Sequence, residues 1–308
     1  MPLLTIFTAP KPFIDPHITV IQRNALKNWL ALGDEVEVFV LGDDPGVSET
    51  CAELGIRHIS GVKCNDQGTP LISSIFNLSR QASTAPFLAY VNADILILPN
   101  ILDAIRLIGR QKDQFLAVGQ RWDLDIREPM TFDGPWEETL RKRIEDDGEL
   151  HGQTGSDYFI YPRGCFKKIP DFAVGRAGWD NWMIYRARWQ HWPVVDTTKM
   201  ITILHQNHDY RHLPGGQTHY RLPESAENIK MGGGRRTIFN LTDATHFLEE
   251  GVVKRISLDA KSFWREVEIF PLVGLRSRVL GWLSFAIIHP QKAFTELKEW
   301  LVKTIKAS

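Results

Sequence analysis

The chain has 308 residues, 43% hydrophobic and 24% charged, with a formal net charge of -1. That is a soluble globular composition with room for one large or two small cores. It offers no strongly basic balance of the kind a nucleic-acid binder needs, so no nucleic-acid partner is expected. Three cysteines, Cys51, Cys64 and Cys165, are odd in number and form no C-x-x-C pair. They fit a reducing compartment, and a cytoplasmic location is expected. The opening "MPLLTIFTAPKPF" lacks the basic lead and apolar length of a secretory signal. No apolar run reaches the roughly 18 residues of a spanning helix.

In chain order, a short apolar strand over 3–7 closes at the proline-punctuated "TAPKPF". Asp15 before Pro16 marks a helix start, followed by Ile18, Ile21, Ala25 and Trp29 at helical spacing. "VEVFVL" (36–41) is a second strand ending in the turn "GDDPG", and 56–59 is a short third. A helix is expected over 71–81 and a buried strand over 86–91. The chain then stays apolar to Pro99, interrupted by Asn92 and Asp94. Asn100 is expected to cap a helix carrying Ile101, Ala104, Ile105 and Ile108. A strand at 115–119 closes this half.

Strands alternating with helices predict an α/β fold with a mixed, mostly parallel sheet flanked by helices. Ligands of such sheets bind beyond the carboxyl ends of the strands. Thr8, then Asp43 with Asp44, then Asn92 with Asp94 all stand at such ends. A buried lone carboxylate is costly, which places Asp94 at the rim with a partner and not in the core.

Past Gln120 the sequence changes texture, with Trp122, Trp136, Trp179, Trp182, Trp189 and Trp192 interleaved with charged residues. Tryptophan suits both a core and a sugar ring. "EETLRKRIEDDGEL" is a solvated helix. "GQTGSDYFIYPRG" (152–164) is either a hairpin entry or a glycine loop that admits a ligand close to the backbone. In "GRAGWDNW" (175–182), Asp180 stands at a helix start, as an N-cap or as a general base in an apolar-walled pocket. "HQNHDYRH" holds His205, His208 and His212 without the spacing of a helical zinc pair. One of these imidazoles completing a cation shell begun by Asp94 is the more economical reading. In "RWDLD", Arg121, Trp122 and Asp123 either line a sugar pocket or form a surface turn. "MGGGRR" (231–236) offers amides and guanidiniums for phosphate oxygens, or is an exposed turn.

The order of these motifs over about residues 3–208 resembles the GT-A fold glycosyltransferases that use nucleotide sugars. Asn92-Ala93-Asp94 looks like a degenerate DxD motif, and Gly155-Ser156-Asp157 like the glycine loop. Gly178-Trp179-Asp180 takes the place of the xED motif, and His205 or His208 that of the C-terminal histidine ligand. The resemblance implies a Mn2+ or Mg2+ ion held by Asp94 with His205 or His208. It also implies donor binding by Thr8, Asp43, Asn77, Asn92, Gly155 and Asp157, with Asn77 ending the donor-facing "GTPLISSIFN". The domain it implies spans 1–255, with a nucleotide-binding half at 1–120 and an acceptor and catalytic half at 121–255. A C-terminal helical tail covers 256–308. Asn92 departs from the first acid of DxD and Trp179 from the Glu of xED, which leaves a metal-independent variant open.

The expected activity is sugar transfer from a nucleoside-diphosphate sugar, a UDP-sugar first, to a carbohydrate or other hydroxyl acceptor. Asp180 is the candidate base, which favours inversion; in a retaining enzyme it would orient the acceptor or the sugar. Two alternatives remain. One is a nucleotidyltransferase that makes nucleotide sugars, against which "FTAPKPF" counts because it has Lys11 but no glycine. The other is a non-catalytic carbohydrate-binding protein on the same fold. The tail's "FPLVGLRSRVLGWLSFAIIHP", apolar on one side and broken by Arg276 and Arg278, reads as a docked helix or as a peripheral membrane contact.

Overall fold

The computed structural model describes residues 1–208 and 222–307, with side chains to residue 298. The first elements are β1 (Leu4–Thr8), α1 (Pro16–Leu30), β2 (Val36–Leu41), α2 (Val47–Leu54), β3 (Arg57–Ile59) and α3 (Ile72–Ala82). Next come β4 (Phe87–Val91), β5 (Ile95–Ile97), α4 (Asn100–Gly109), β6 (Leu116–Val118), β7 (Trp122–Leu124) and α5 (Trp136–Asp147). β8 (Glu149–Leu150), β9 (Tyr158–Pro162), α6 (Trp179–Trp189), β10 (Val194–Asp196), β11 (Ile203–Gln206) and α7 (Pro223–Gly232) follow. The chain continues through β12 (His246–Glu249), β13 (Val252–Arg255), α8 (Ala260–Val273), α9 (Arg278–Ile288) and α10 (Pro290–Ala307).

The main sheet runs β13-β12-β10-β6-β9-β4-β1-β2-β3. It is parallel from β3 to β4 and from β6 to β12, with β9 antiparallel to both neighbours at its centre. This is the α/β architecture the alternation implied, one mixed sheet flanked by helices with a helical C-terminal extension. Both faces are buried, as the period of a covered strand demands. Leu4 and Ile6 of β1 enter one core with Ala89 and Val91, while Phe7 enters the other with Leu88 and Tyr90.

A smaller sheet, β5-β11-β7-β8, lies beyond the end of β4. Helix α1 ties it down with polar groups. Trp29 Nε1 donates to the carbonyl of Ile95 at 2.9 Å, and Asn28 Oδ1 accepts from the Ile97 amide at 2.6 Å. Trp29 Nε1 and Asn28 Oδ1 are thus buried with partners, while Asn28 Nδ2 has none among the described residues.

Two local expectations are corrected, and one helix was not expected. Asn100 is the first residue of α4 and not its cap, which is Pro99; the Asn100 side chain reaches Thr202 instead. The "GDDPG" turn is present and opens directly into α2, whose N-cap Gly46 has φ 81° and whose C-cap Gly55 has φ 67°. Gly178, not Asp180, caps α6, with φ 106°.

Candidate functional site

Strand register builds the site. Antiparallel pairing of β11 with β5 sets His205 opposite Ile95, and parallel pairing with β7 sets His205 opposite Asp123. The residue before Ile95 is Asp94, so residues more than 100 positions apart meet at the turn that leaves β4. Ligand atoms of Asp94, His205 and His208 all lie within 4.8 Å of one another. His208 Nε2 is 3.0 Å from Asp94 Oδ2, and Lys11 Nζ is 3.1 Å from the same nitrogen. Lys11 Nζ lies 3.7 Å from Asp94 Oδ2. His212 lies outside the described residues.

Burial alone would raise the Asp94 pKa. The His208 hydrogen bond and the charges of His205 and Lys11 outweigh it and hold the carboxyl ionised, well below its usual range. Burial pulls Lys11 down against the attraction of Asp94. Asp94 Oδ1 is buried with no hydrogen-bond partner among the described residues. An orphaned, ionised oxygen beside two imidazoles is a donor set that fits a divalent cation. Two nitrogens and one carboxylate suit Mn2+ better than the oxygen-loving Mg2+.

A second layer orients the first. His205 Nδ1 is 3.2 Å from Asp123 Oδ1, which favours a proton there and leaves Nε2 as the free ligand. Asp123 also meets His151 Nδ1 at 2.7 Å and receives Arg121 Nε at 2.8 Å. Arg121 Nη1 donates to Asp157 Oδ2 at 2.8 Å, and Asn92 Nδ2 donates to Asp157 Oδ1 at 2.9 Å. Asn92 thus braces the glycine loop's carboxylate. Burial would raise Asp123, but the His205 bond and Arg121 hold it well below the ordinary carboxylate range. The net effect on His205 is upward: burial lowers it, and Asp123 and Asp94 overcome that.

Asp180 is half-buried in the first turn of α6, where its Oδ1 accepts from the Gly178 amide at 3.1 Å. Burial raises its pKa, the Asp157 charge adds to that, and backbone amides oppose it. The same turn is anchored by Trp179, whose ring lies 5.0 Å from Tyr90 and 5.3 Å from Phe159. Asp180 therefore starts a helix whose first residue is packed among aromatic rings. Trp179 and Trp182 are core residues.

The remaining candidates are more spread. Thr8 ends β1 with a buried Oγ1 that has no hydrogen-bond partner among the described residues. Asp43 is exposed past β2, where its Oδ2 accepts from the Gly61 amide at 2.8 Å. Gly155 lies against His151, whose Nε2 would be 3.5 Å from an added Cβ. Asn77 is exposed on α3 while its neighbours Ile75 and Phe76 are buried. In the turn after α7, Arg236 bonds both oxygens of Glu296, which closes α10 onto that turn. Lys11 and His151 were missed as members of the cluster. The available signals were a lysine just past β1 and a histidine directly before the glycine loop.

No protein-family model matches the sequence, nor does any curated protein. Among solved structures, the chain is similar to glucosyl-3-phosphoglycerate synthase from Mycobacterium tuberculosis in complex with Mn2+, UDP and phosphoglyceric acid. That match has 15% identity, covers 76% of this chain and 79% of the other, and has a TM-score of 0.44. A complex of the same synthase with Mn2+, UDP-glucose and phosphoglyceric acid matches at 13% identity over 76% and 80% of the two chains, with TM-score 0.44. A structure described only as a mycobacterial protein matches at 14% identity over 85% and 81%, with TM-score 0.41.

Proposed function

We propose that this chain is a GT-A type glycosyltransferase that moves a sugar from a nucleoside-diphosphate sugar, a UDP-sugar first, to an acceptor hydroxyl. The observation that carries this reading is that ligand atoms of Asp94, His205 and His208 gather within 4.8 Å of one another at the carboxyl end of β4, where Asp94 Oδ1 has no hydrogen-bond partner among the described residues.

Asp94, His205 and His208 would hold a Mn2+ or Mg2+ ion, which when bound stabilises negative charge on a departing diphosphate. Lys11, now beside Asp94 and His208, offers a second positive group at the same end of the sheet. Asp123 keeps the His205 ring in one tautomer, and Asn92 with Arg121 fixes Asp157 below the glycine loop. Asp180 takes the acceptor proton as the hydroxyl oxygen attacks the sugar carbon. Its raised pKa makes it a stronger base than an ordinary aspartate. Thr8 Oγ1 has no hydrogen-bond partner among the described residues and is fully buried, so a nucleotide would reach it only after a local opening. The catalytic and donor-binding residues fall within 1–255, and residues 256–308 form an accessory tail.

The test is thermal unfolding of the full chain with UDP, with and without Mn2+, followed by hydrolysis of a UDP-sugar panel. Stabilisation by UDP should grow with Mn2+ and vanish in Asp94→Ala. Equal shifts with and without the ion would remove the cation from the reading. No turnover of any sugar donor, with sugar binding unchanged in Asp180→Ala, would favour a binding protein.

A further inference from the structure

A cavity of about 310 Å³ lies between α6, the end of α7 and the α8–α9 turn. Its lining includes Arg186, Arg276 and Arg278 together with Trp182, Tyr185 and Trp189. The guanidinium carbons of Arg186 and Arg276 stand 4.3 Å and 4.6 Å from the ring centre of Trp189, so two like charges share one indole. Among the described residues, no carboxylate pairs with any of these three arginines. Burial lowers the Arg186 pKa, and the Arg276 charge acts in the same direction. Arg276 also has φ 56°, a left-handed backbone that a side-chain-bearing residue adopts only under constraint. Concentrated guanidinium charge over aromatic rings is suited to a phosphate oxyanion, which it can hold through paired N–H donors.

The surface beside this cavity is apolar. On α8, Phe263, Val267 and Phe270 are exposed at one-turn spacing, and on α9 so are Val279, Leu283 and Ile287. Trp264 is 61% exposed and Ile287 80%. Leu275 and Val279, both exposed, flank Arg276 and Arg278 in the sequence, so apolar and cationic side chains alternate along this turn. Among the described side chains of residues 260–298, the three carboxylates all turn to cationic partners. Glu266 pairs with Arg188, Glu268 with Arg265 and His289, and Glu296 with Arg236. Lys261 and Lys292 add positive charge to the same helices. No described helix is long and apolar enough to cross a membrane. Exposed tryptophan and aliphatic side chains with a cationic border, on helices too polar to span, are the pattern of a segment lying in a lipid interface.

We propose that this end of the molecule seats on an anionic lipid surface, with a lipid phosphate in the arginine cavity and the apolar faces of α8 and α9 in the acyl boundary. None of the residues involved belongs to the Asp94 cluster, so failure of sugar transfer would leave the surface untouched.

The test is co-sedimentation of the full chain with vesicles of phosphatidylcholine, with and without phosphatidylglycerol. Binding should be at least about tenfold tighter with the anionic lipid, given roughly 1 kcal/mol per basic residue near such a surface. Brominated acyl chains should quench tryptophan fluorescence. Arg276→Gln/Arg278→Gln should lose most of the preference for anionic vesicles, and Trp264→Ser/Ile287→Ser should lose binding to both. Unfolding temperatures no lower than that of the wild type would show that each variant is folded. Equal binding to the two vesicle types, or no binding to either, overturns the proposal. So does stabilisation by inorganic phosphate that needs Arg276 and Arg278 without any vesicle binding, which would mark a site for a free anion. A dimer dispersed by Trp264→Ser/Ile287→Ser, again without vesicle binding, would give the face to a second copy.

Discussion

Around Asp157, charges are answered by opposite charges: Arg121 bridges Asp157 and Asp123, and His151 and His205 complete Asp123. Around Trp189, guanidiniums stack on one ring with no described carboxylate beside them. Both regions are rich in ionisable groups, yet they treat charge in opposite ways. In the first, the side chains are mutually braced before any ligand arrives, so their geometry is inherited from folding. In the second, guanidiniums are answered by aromatic rings and not by carboxylates, which leaves their charge uncompensated until an anion of the proposed kind arrives. A change in the first region should therefore remove stability or positioning, whereas a change in the second should relieve strain.

The largest expected effect is at Asp180. Asp180→Asn should lower kcat by about 10²–10⁴-fold, as for loss of a general base, with nucleotide binding unaltered in calorimetry. Burial raises this carboxyl in the fold, so the wild-type rate should fall on the acid side at a pH above the ordinary aspartate value. The sign for stability is opposite to that of an ion-paired acid. The fold binds the proton more tightly than the unfolded chain, so stability declines as pH rises from the ordinary value through the raised one. Asp180→Asn should consequently be no less stable than wild type at neutral pH.

Next comes Arg121→Gln, which leaves Asp157 and Asp123 without their shared cation. Breaking a buried pair costs about 3–5 kcal/mol. Because the Arg121 side chain keeps 18% exposure, a loss of about 2–3 kcal/mol in urea unfolding is expected. A smaller change would mean the bracing is looser than its hydrogen bonds suggest. Asp123→Asn should weaken Mn2+ affinity about 10–100-fold through the misoriented His205 ring, read by titration of the full chain with the metal. The smallest effect has the other sign. Arg276→Gly frees a left-handed residue and removes one of the crowded charges, and should stabilise by about 1 kcal/mol. A destabilised Arg276→Gly would break the contrast between the two regions.

Periodicity carried the sheet because its strands are buried on both faces and read as apolar runs: "VEVFVL" is β2 to the residue. Helix α1 was equally legible from Asp15, whose side chain does accept from the Ile18 amide. Helix α2 was not, because its start is a glycine cap with no side-chain signal and only Val47, Thr50 and Cys51 are buried in it. The Asp94 cluster was readable as a list of residue types. The partners that orient it were not, since Lys11, Asp123 and His151 reach the cluster through strand register and loop course that no local spacing encodes. In "RWDLD", the arginine and aspartate proved to be the bridge of a charge network, a role that depends on Asp157 36 residues away.

Strand β11 is only four residues long, yet its two edges bring Asp94 and Asp123 to the same imidazole. Until that late segment closes the small sheet, an unfolding or nascent chain has Lys11 but no imidazole for Asp94, and Asp123 lacks His205. Loop closure over such distances is slow relative to local contacts, so competence to bind a cation should emerge with the last cooperative step of folding. A bound ion would then act as a clasp on chain segments that are otherwise strangers, and slow unfolding should be the first sign of its presence.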